Sequence, residues 1–338
     1  MLAKFKAAAA HVSPIFLDKS ATTEKAVSII REAASNGAEL VIFPESFIPA
    51  FPIWAALWPP IENHDLFVAM AANSVVSNEG EIEIIRREAR RAGVFVSLGF
   101  SERSSVSLGC LWNANILIKD DGGVLNHHRK LVPTFFEKLV WANGDGAGLQ
   151  VSETRLGRIG TLICGENTNP LARYSLMAQG EQVHIASWPP IWPTKRPQAG
   201  GNYNNINANR IRVAAHSFEA KAFGIACAGY LDAATRDFLV DRDETIANIL
   251  ESTPKAASFF IDPTGEQFGE SLQSEEGILY GEIDINRCVE PKQFHDVVGY
   301  YNRFDIFDLR VNRKRLSPIE FTDDGLASKV TPDIKAAE

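Results

Sequence analysis

The chain has 338 residues, is 45% hydrophobic and 22% charged, and carries a formal net charge of -8. That is the composition of a folded globular protein with a large core, not of a disordered chain. Its acidic balance argues against a nucleic-acid partner, because phosphate binding draws on many cationic contacts and only Arg310 to Arg315 (RVNRKR) offers a basic run.

In chain order, MLAKFKAAAAHVSP begins with Lys4 and Lys6 before alanines but is too short an apolar run for a signal peptide. It passes directly into a strand over Phe5 to His11. A helix follows from Thr22 to Ser35, with Val27, Ile30 and Ala34 at helical spacing and Gly37 as its stop. Leu40 to Phe43 is a short buried strand closed by Pro44. Glu62 to Ser77 and Glu79 to Ala92 read as two helices, the second ended by Gly93, and Val94 to Phe100 as a strand. Leu111 to Lys119 and Val124 to His128 flank DDGG, a hairpin signal. Arg158 to Ile163 is another strand and Leu171 to Gln179 another helix. Strands at Val183 to Ala186, Gly224 to Ala228, Ala257 to Ile261 and Ile278 to Ile283 follow, with a long helix from about Asn205 to Ala222. Strands alternating with helices, without a Ser/Gly linker, predict an α/β fold with helix-covered sheets. One domain over residues 1–300 and a charged tail over 301–338 are expected. The tail is too poor in apolar residues to form its own core and would pack on a neighbour or be partly mobile.

No stretch reaches the ~20 apolar residues that span a bilayer, so no membrane partner is expected. Cys110, Cys164, Cys227 and Cys288 are far apart and form no CxxC pair, which argues against a zinc knuckle or a disulfide framework and for a reducing cytoplasm.

Three reactive residues stand just past buried strands: Glu45 after LVIFP, Lys130 after VLNHH and Cys164 after RIGTLI. Strand ends are where α/β folds gather sites. Thr168 or Asn169 can cap a helix with Pro170 in its first turn, and such a helix would lower the Cys164 pKa from its usual ~8.5. Gly165 would bring its N–H close to a developing anion. Taken singly, each has a plainer reading: a core thiol, a loop cap, a solvated lysine. Together they supply a nucleophile, a base and a cation. Other signals are weaker. GDGAG (Gly144 to Gly148) lacks the lysine of a phosphate loop and reads as a turn. His127 and His128 face opposite sides of a strand and suit a metal poorly. DRDE (Asp241 to Glu244) reads as a solvated helix start.

The segments FPESFIPAFP, HHRKLVPTFFEKLVWANGDG and LICGENTNPLARYSLMAQGEQVHIASWPP resemble the three signature regions of the carbon–nitrogen hydrolase family, and more narrowly its nitrilase branch. The resemblance runs from about residue 5 to about residue 300. It implies an α-β-β-α sandwich and a Glu45–Lys130–Cys164 triad, with Glu137 as a second glutamate beside the lysine. It implies neither metal nor organic cofactor. The activity implied is hydrolysis of a small-molecule nitrile to an acid and ammonia through a cysteine thioimidate and thioester. An amidase or carbamoyl hydrolase on the same triad is the alternative, and a non-catalytic scaffold or filament protein a lesser one. Phe51, Trp141 and Trp188 are the candidate pocket aromatics. Gly165 stands where some nitrilases carry tryptophan, which leaves room beside the nucleophile. The resemblance further implies a homodimer assembling into larger open spirals, with contacts at Tyr230 to Ile249 and in the tail.

Overall fold

Four consecutive alanines set out the architecture in a computed structural model that describes residues 2–78, 80–202, 204–317, 319–323 and 326–329. In β1 (Lys4–His11), Ala7 and Ala9 face one core while Ala8 and Ala10 face another, and all four are fully buried. Alternation of a strand's side chains makes β1 a wall shared by two cores. The strands that follow are β2 (Leu40–Ile42), β3 (Phe95–Arg103), β4 (Leu111–Ile118), β5 (Val124–Arg129), β6 (Ser152–Thr154) and β7 (Gly157–Ile163). Then come β8 (Val183–Trp188), β9 (Phe223–Ala228), β10 (Ser258–Ile261), β11 (Gln267–Leu272) and β12 (Gly277–Asp284). The helices are α1 (Lys19–Ser35), α2 (His64–Asn73), α3 (Gly80–Ala92), α4 (Pro170–Met177), α5 (Asn205–Ala220), α6 (Ala233–Arg242), α7 (Ala247–Ser252) and the single turn α8 (Val289–Lys292).

One sheet has the order β12-β1-β2-β3-β4-β5 and the other β11-β10-β9-β8-β7-β6. Between them Phe5, Leu40, Ile42 and Phe95 meet Ile159, Val183, Ile185, Phe223 and Phe260. Outside the first sheet lie Ile29 and Ile30 of α1 with Ile82 and Ile85 of α3. Outside the second, Val213 of α5 packs on Ala186 and Ala226, and Leu176 of α4 on Leu162. The layers are therefore α-β-β-α, the expected sandwich.

Several boundaries differ from the sequence reading. The helix expected over 62–77 spans only His64–Asn73, because β-branched Val75 leaves it to bridge Glu102 beside β3. Glu79, the expected start of the next helix, lies outside the described residues. DRDE spans the end of one helix and the solvated start of the next, with Asp243 capping a 3-10 turn over Glu244–Ile246 that leads into α7. α6 ends at Arg242, and the Asp243 carboxylate accepts from the N–H of Thr245 (2.9 Å), opening that turn. After Tyr301 the chain runs back over the body. Arg315 Nη1 and the N–H of Leu316 each donate to the Asp145 carboxylate at 3.0 Å. A short antiparallel pair, β13 (Glu320–Asp323) and β14 (Leu326–Lys329), follows. The end of the expected tail, 330–338, lies outside the described residues. No helix among the described residues is long and apolar enough to cross a membrane.

Candidate active site

β2 delivers Glu45 through Phe43 and Pro44. Its neighbour β3 carries Gly99 at the crossing point, where a Cβ would lie 2.1 Å from the Pro44 carbonyl, so only glycine lets this loop rest on the sheet. β5 delivers Lys130, whose N–H donates to the carbonyl of Asn113 in β4 at 2.8 Å. A 3-10 turn over Phe135–Leu139 delivers Glu137, held by the N–H of Thr134 donating to its Oε2 at 3.0 Å. β7 delivers Cys164 at the start of a tight turn with φ 48°. Ser46, next to Glu45, and Phe135, two residues before Glu137, also have positive φ. Such conformations persist only where surroundings enforce them, and they cluster at working sites.

The four side chains meet. Lys130 Nζ donates to Glu45 Oε1 at 2.7 Å and to Glu137 Oε2 at 2.5 Å. One carboxylate oxygen from Glu45, one from Glu137 and the Cys164 sulfur lie within 4.8 Å of one another. Glu45 Oε1 also accepts from Asn113 Nδ2 at 2.7 Å, while Glu45 Oε2 has no partner among the described residues. Glu45, Lys130 and Glu137 are each at most 2% exposed.

Burial pushes the Glu45 carboxyl up to about 7; the Lys130 ammonium opposes that rise and Glu137 adds to it. Burial would lower Lys130, but Glu137 and Glu45 outweigh it and hold the ammonium charged. Cys164 corrects an expectation. Its thiol is pushed well above the ordinary range by burial, with Glu45 reinforcing and Lys130 only partly opposing. The helix dipole expected to lower it is distant: a 3-10 turn over Cys164–Thr168 intervenes, and α4 begins only at Pro170, capped by Asn169. The resting nucleophile is a neutral thiol.

Two buried networks hold the nucleophile's turn. The Glu166 carboxylate accepts from the N–H of Ile163 (2.8 Å), the N–H of Leu131 (2.5 Å) and His128 Nε2 (2.9 Å). Burial favours the neutral acid, yet these donors outweigh it and keep Glu166 below the ordinary carboxylate range. Glu166 therefore braces the turn against the end of β5. On the other side, Asn167 Nδ2 donates to the Cys164 carbonyl at 3.0 Å, and Asn167 Oδ1 accepts from His184 Nε2 at 2.8 Å. His184 Nδ1 then meets Glu181 Oε1 at 2.8 Å, and His216 Nε2 of α5 meets Glu181 Oε2 at 2.5 Å. The three groups Glu181, His184 and His216 could in composition hold a metal ion, but each nitrogen–oxygen pair is at hydrogen-bond separation.

A cavity of about 420 Å³ opens on Cys164 and is lined by Thr134, Gly165, Trp188, Trp192, Asn205, Asn209 and Arg212. That is a normal size for a small-ligand site. Of the pocket residues expected from sequence, Gly165 and Trp188 line it. A Cβ on Gly165 would meet Thr134 Oγ1 at 2.6 Å, so the space beside the nucleophile depends on that glycine. Phe51 and Trp141 do not line it. They pack on each other with ring centroids 5.8 Å apart, and Trp141 Nε1 donates to Ser101 Oγ. Phe51 instead borders a separate recess of only about 20 Å³, which Glu45 also lines. The sequence reading missed Asn113, Thr134 and the polar face of α5. For α5 a signal existed: Asn205, Asn209 and Arg212 are spaced i, i+4, i+7, one helix face.

Comparison with known proteins gives a concordant picture. The carbon–nitrogen hydrolase family model matches residues 6–293. An arylacetonitrilase of Hypocrea virens is 34% identical over 315 residues, covering 91% of this chain and 92% of that one. An aliphatic nitrilase of Rhodococcus rhodochrous is 32% identical, covering 93% of this chain and 84% of that one. Among solved structures, Saccharomyces cerevisiae Nit3, a member of branch 10 of the nitrilase superfamily, superposes with a TM-score of 0.67 at 17% identity. That match covers 90% of this chain and 97% of the other.

Proposed function

The chain belongs to the carbon–nitrogen hydrolase family, and from that premise we propose that it is a nitrilase, converting an organic nitrile to the carboxylic acid and ammonia on Cys164. The observation that carries this reading is a neutral thiol on the cavity wall with a carboxyl titrating near 7 within 4.8 Å of its sulfur, and a locked ammonium bonded to that carboxyl just behind the wall.

As the sulfur attacks the nitrile carbon, the free Oε2 of Glu45 takes the thiol proton. A high thiol pKa makes this base necessary, and a base near 7 suits it. One C≡N bond pair moves to nitrogen, where Lys130 and the Gly165 N–H stabilise the charge until Glu45 passes on the proton it took from sulfur and becomes a carboxylate again. The product is a thioimidate. Water, deprotonated by Glu45, adds to it, and the tetrahedral species expels ammonia to leave a thioester. A second water releases the acid and returns the proton to sulfur. Glu137 holds Lys130 in place and keeps it charged.

The relatives' names pair the nitrile with both aryl and alkyl groups, so the shared chemistry is at the nitrile carbon. A nitrile panel with ammonia detection tests the reading: wild type releases ammonia and acid, and Cys164→Ala releases neither. Hydrolysis of the matching carboxamides alone would instead make the chain an amidase.

The finer proposals concern assembly and location. Tyr300, Tyr301, Phe304, Ile306 and Phe307 are exposed in succession, which supports self-association into homodimers and larger homo-oligomers. Light scattering across protein concentration tests this, and a monomer throughout would overturn it. All four cysteines are free, which supports a reducing cytoplasm for a thiol enzyme.

A further inference from the structure

One face of α5 forms part of the wall of the cavity that opens on Cys164. Asn205, Asn209 and Arg212 all line the cavity. Arg212 Nη1 donates to Asn209 Oδ1 at 3.3 Å. A guanidinium can only donate, so the Asn209 amide turns its oxygen to Arg212 and its Nδ2 away. Asn209 is 1% exposed, and Nδ2 has no acceptor among the described residues. Trp188, also 1% exposed on this cavity, likewise leaves its indole N–H without an acceptor. The Arg212 guanidinium stands 5.6 Å from the Trp188 ring, and among the described residues no carboxylate pairs with it. Buried donors left unmet are costly and rare, and those in native proteins call for an explanation. Lys130 and the turn at Gly165 already serve the reacting nitrogen, so this second group of donors is available to another part of the substrate.

We infer that the cavity accepts a nitrile whose far end carries a carboxylate, paired with Arg212 and hydrogen-bonded by the Asn209 amide and the Trp188 N–H. The planar fork of a guanidinium matches the two oxygens of a carboxylate. The inference rests on the nitrilase reading for the reacting end and on α5 for the other.

The test compares kcat/KM for a short ω-cyanoalkanoate with that for its methyl ester. Wild type should favour the acid by roughly 10–100-fold, the effect of one or two charge-assisted hydrogen bonds. Arg212→Leu should bring the acid-to-ester ratio to about one, and Arg212→Lys, which keeps the charge but not the fork, should fall between. A wild-type preference for the ester, or a ratio unmoved by Arg212→Leu, would overturn the inference. A second measurement needs no turnover: alkylation of Cys164 by iodoacetamide, followed by mass spectrometry, with glutarate or glutaramide present. Glutarate should protect wild type and not Arg212→Leu, and no protection by glutarate in wild type would overturn the carboxylate site. Protection by glutarate with no nitrile turned over would uphold that site and sink the nitrilase reading instead.

Discussion

At the scale of single residues, the proposed chemistry is governed by where one proton rests. Burial holds it on Cys164, and Glu45, raised to about 7, is the group able to take it. The base form of Glu45 fills as pH rises, so kcat/KM should climb about tenfold per pH unit below 7 and level off above it. An ordinary glutamate would place that limb at 4.5. A pH profile from 5 to 9 decides between them, and a flat profile across that range would contradict the assignment. Glu45→Gln should abolish turnover while leaving the fold intact. Lys130→Ala is different in kind, since it strands two buried carboxylates. It should cost roughly 3–5 kcal/mol of stability as well as activity, read by denaturant unfolding. Glu45 and Cys164 were legible in the sequence because each follows a short apolar strand, whereas Lys130 follows the more polar VLNHHR and Glu137 was legible only through the family resemblance. The thiol's protonation was not legible, because it depends on Glu45 and Glu137, 119 and 27 positions away in sequence, and on burial that no local pattern reveals.

At the scale of elements, the nucleophile's turn depends on β8 and α5 as much as on its own strand. Glu181 normally titrates at 4.5; burial would raise it, but His184 and His216 hold it down to about 2. Its contribution to stability is full above 4.5 and is lost as pH falls toward 2. Burial, with His184 adding, pushes His216 from 6.5 down to about 4. The unfolded chain therefore takes up a proton below 6.5 that the folded chain refuses until about 4, and stability falls across that window too. Thermal unfolding should show Tm declining from about pH 6.5 downward. Glu181→Gln should lower stability at pH 7 by about 3 kcal/mol and flatten the decline between 4.5 and 2. Equal slopes in the two proteins would remove the network from this account. Most strands and helices were readable from periodicity. β6 and β11 were not, because SET and QFGESL are polar, half-exposed edge strands without an apolar face to announce them. The helix of α5 was readable, but asparagines are ordinarily surface residues, so its inward polar stripe went unread.

At the scale of the whole molecule, the two sheets bring together residues the sequence keeps far apart, and the C-terminal segment ties down one of the loops between them. Asp145 takes two donors from residues 315 and 316 while capping the N–H of Ala147 at 3.0 Å. Immediately before it, the N–H of Gly144 donates to the carbonyl of Lys130 at 2.9 Å. A chain ended after Leu309 should therefore unfold more easily by about 1–3 kcal/mol, measured by calorimetry. An unchanged Tm would show the strap to be idle. The layered arrangement also separates duties that a single loop could not. Glu45, Lys130 and Cys164 are fixed at the ends of strands in both sheets, whereas the cavity donors of α5 sit on one outer helix whose far end is anchored by His216. Positions 205, 209 and 212 can then vary while the reacting groups keep their places. A directed-evolution library confined to those three positions would redraw the range of compounds accepted without rebuilding the catalyst.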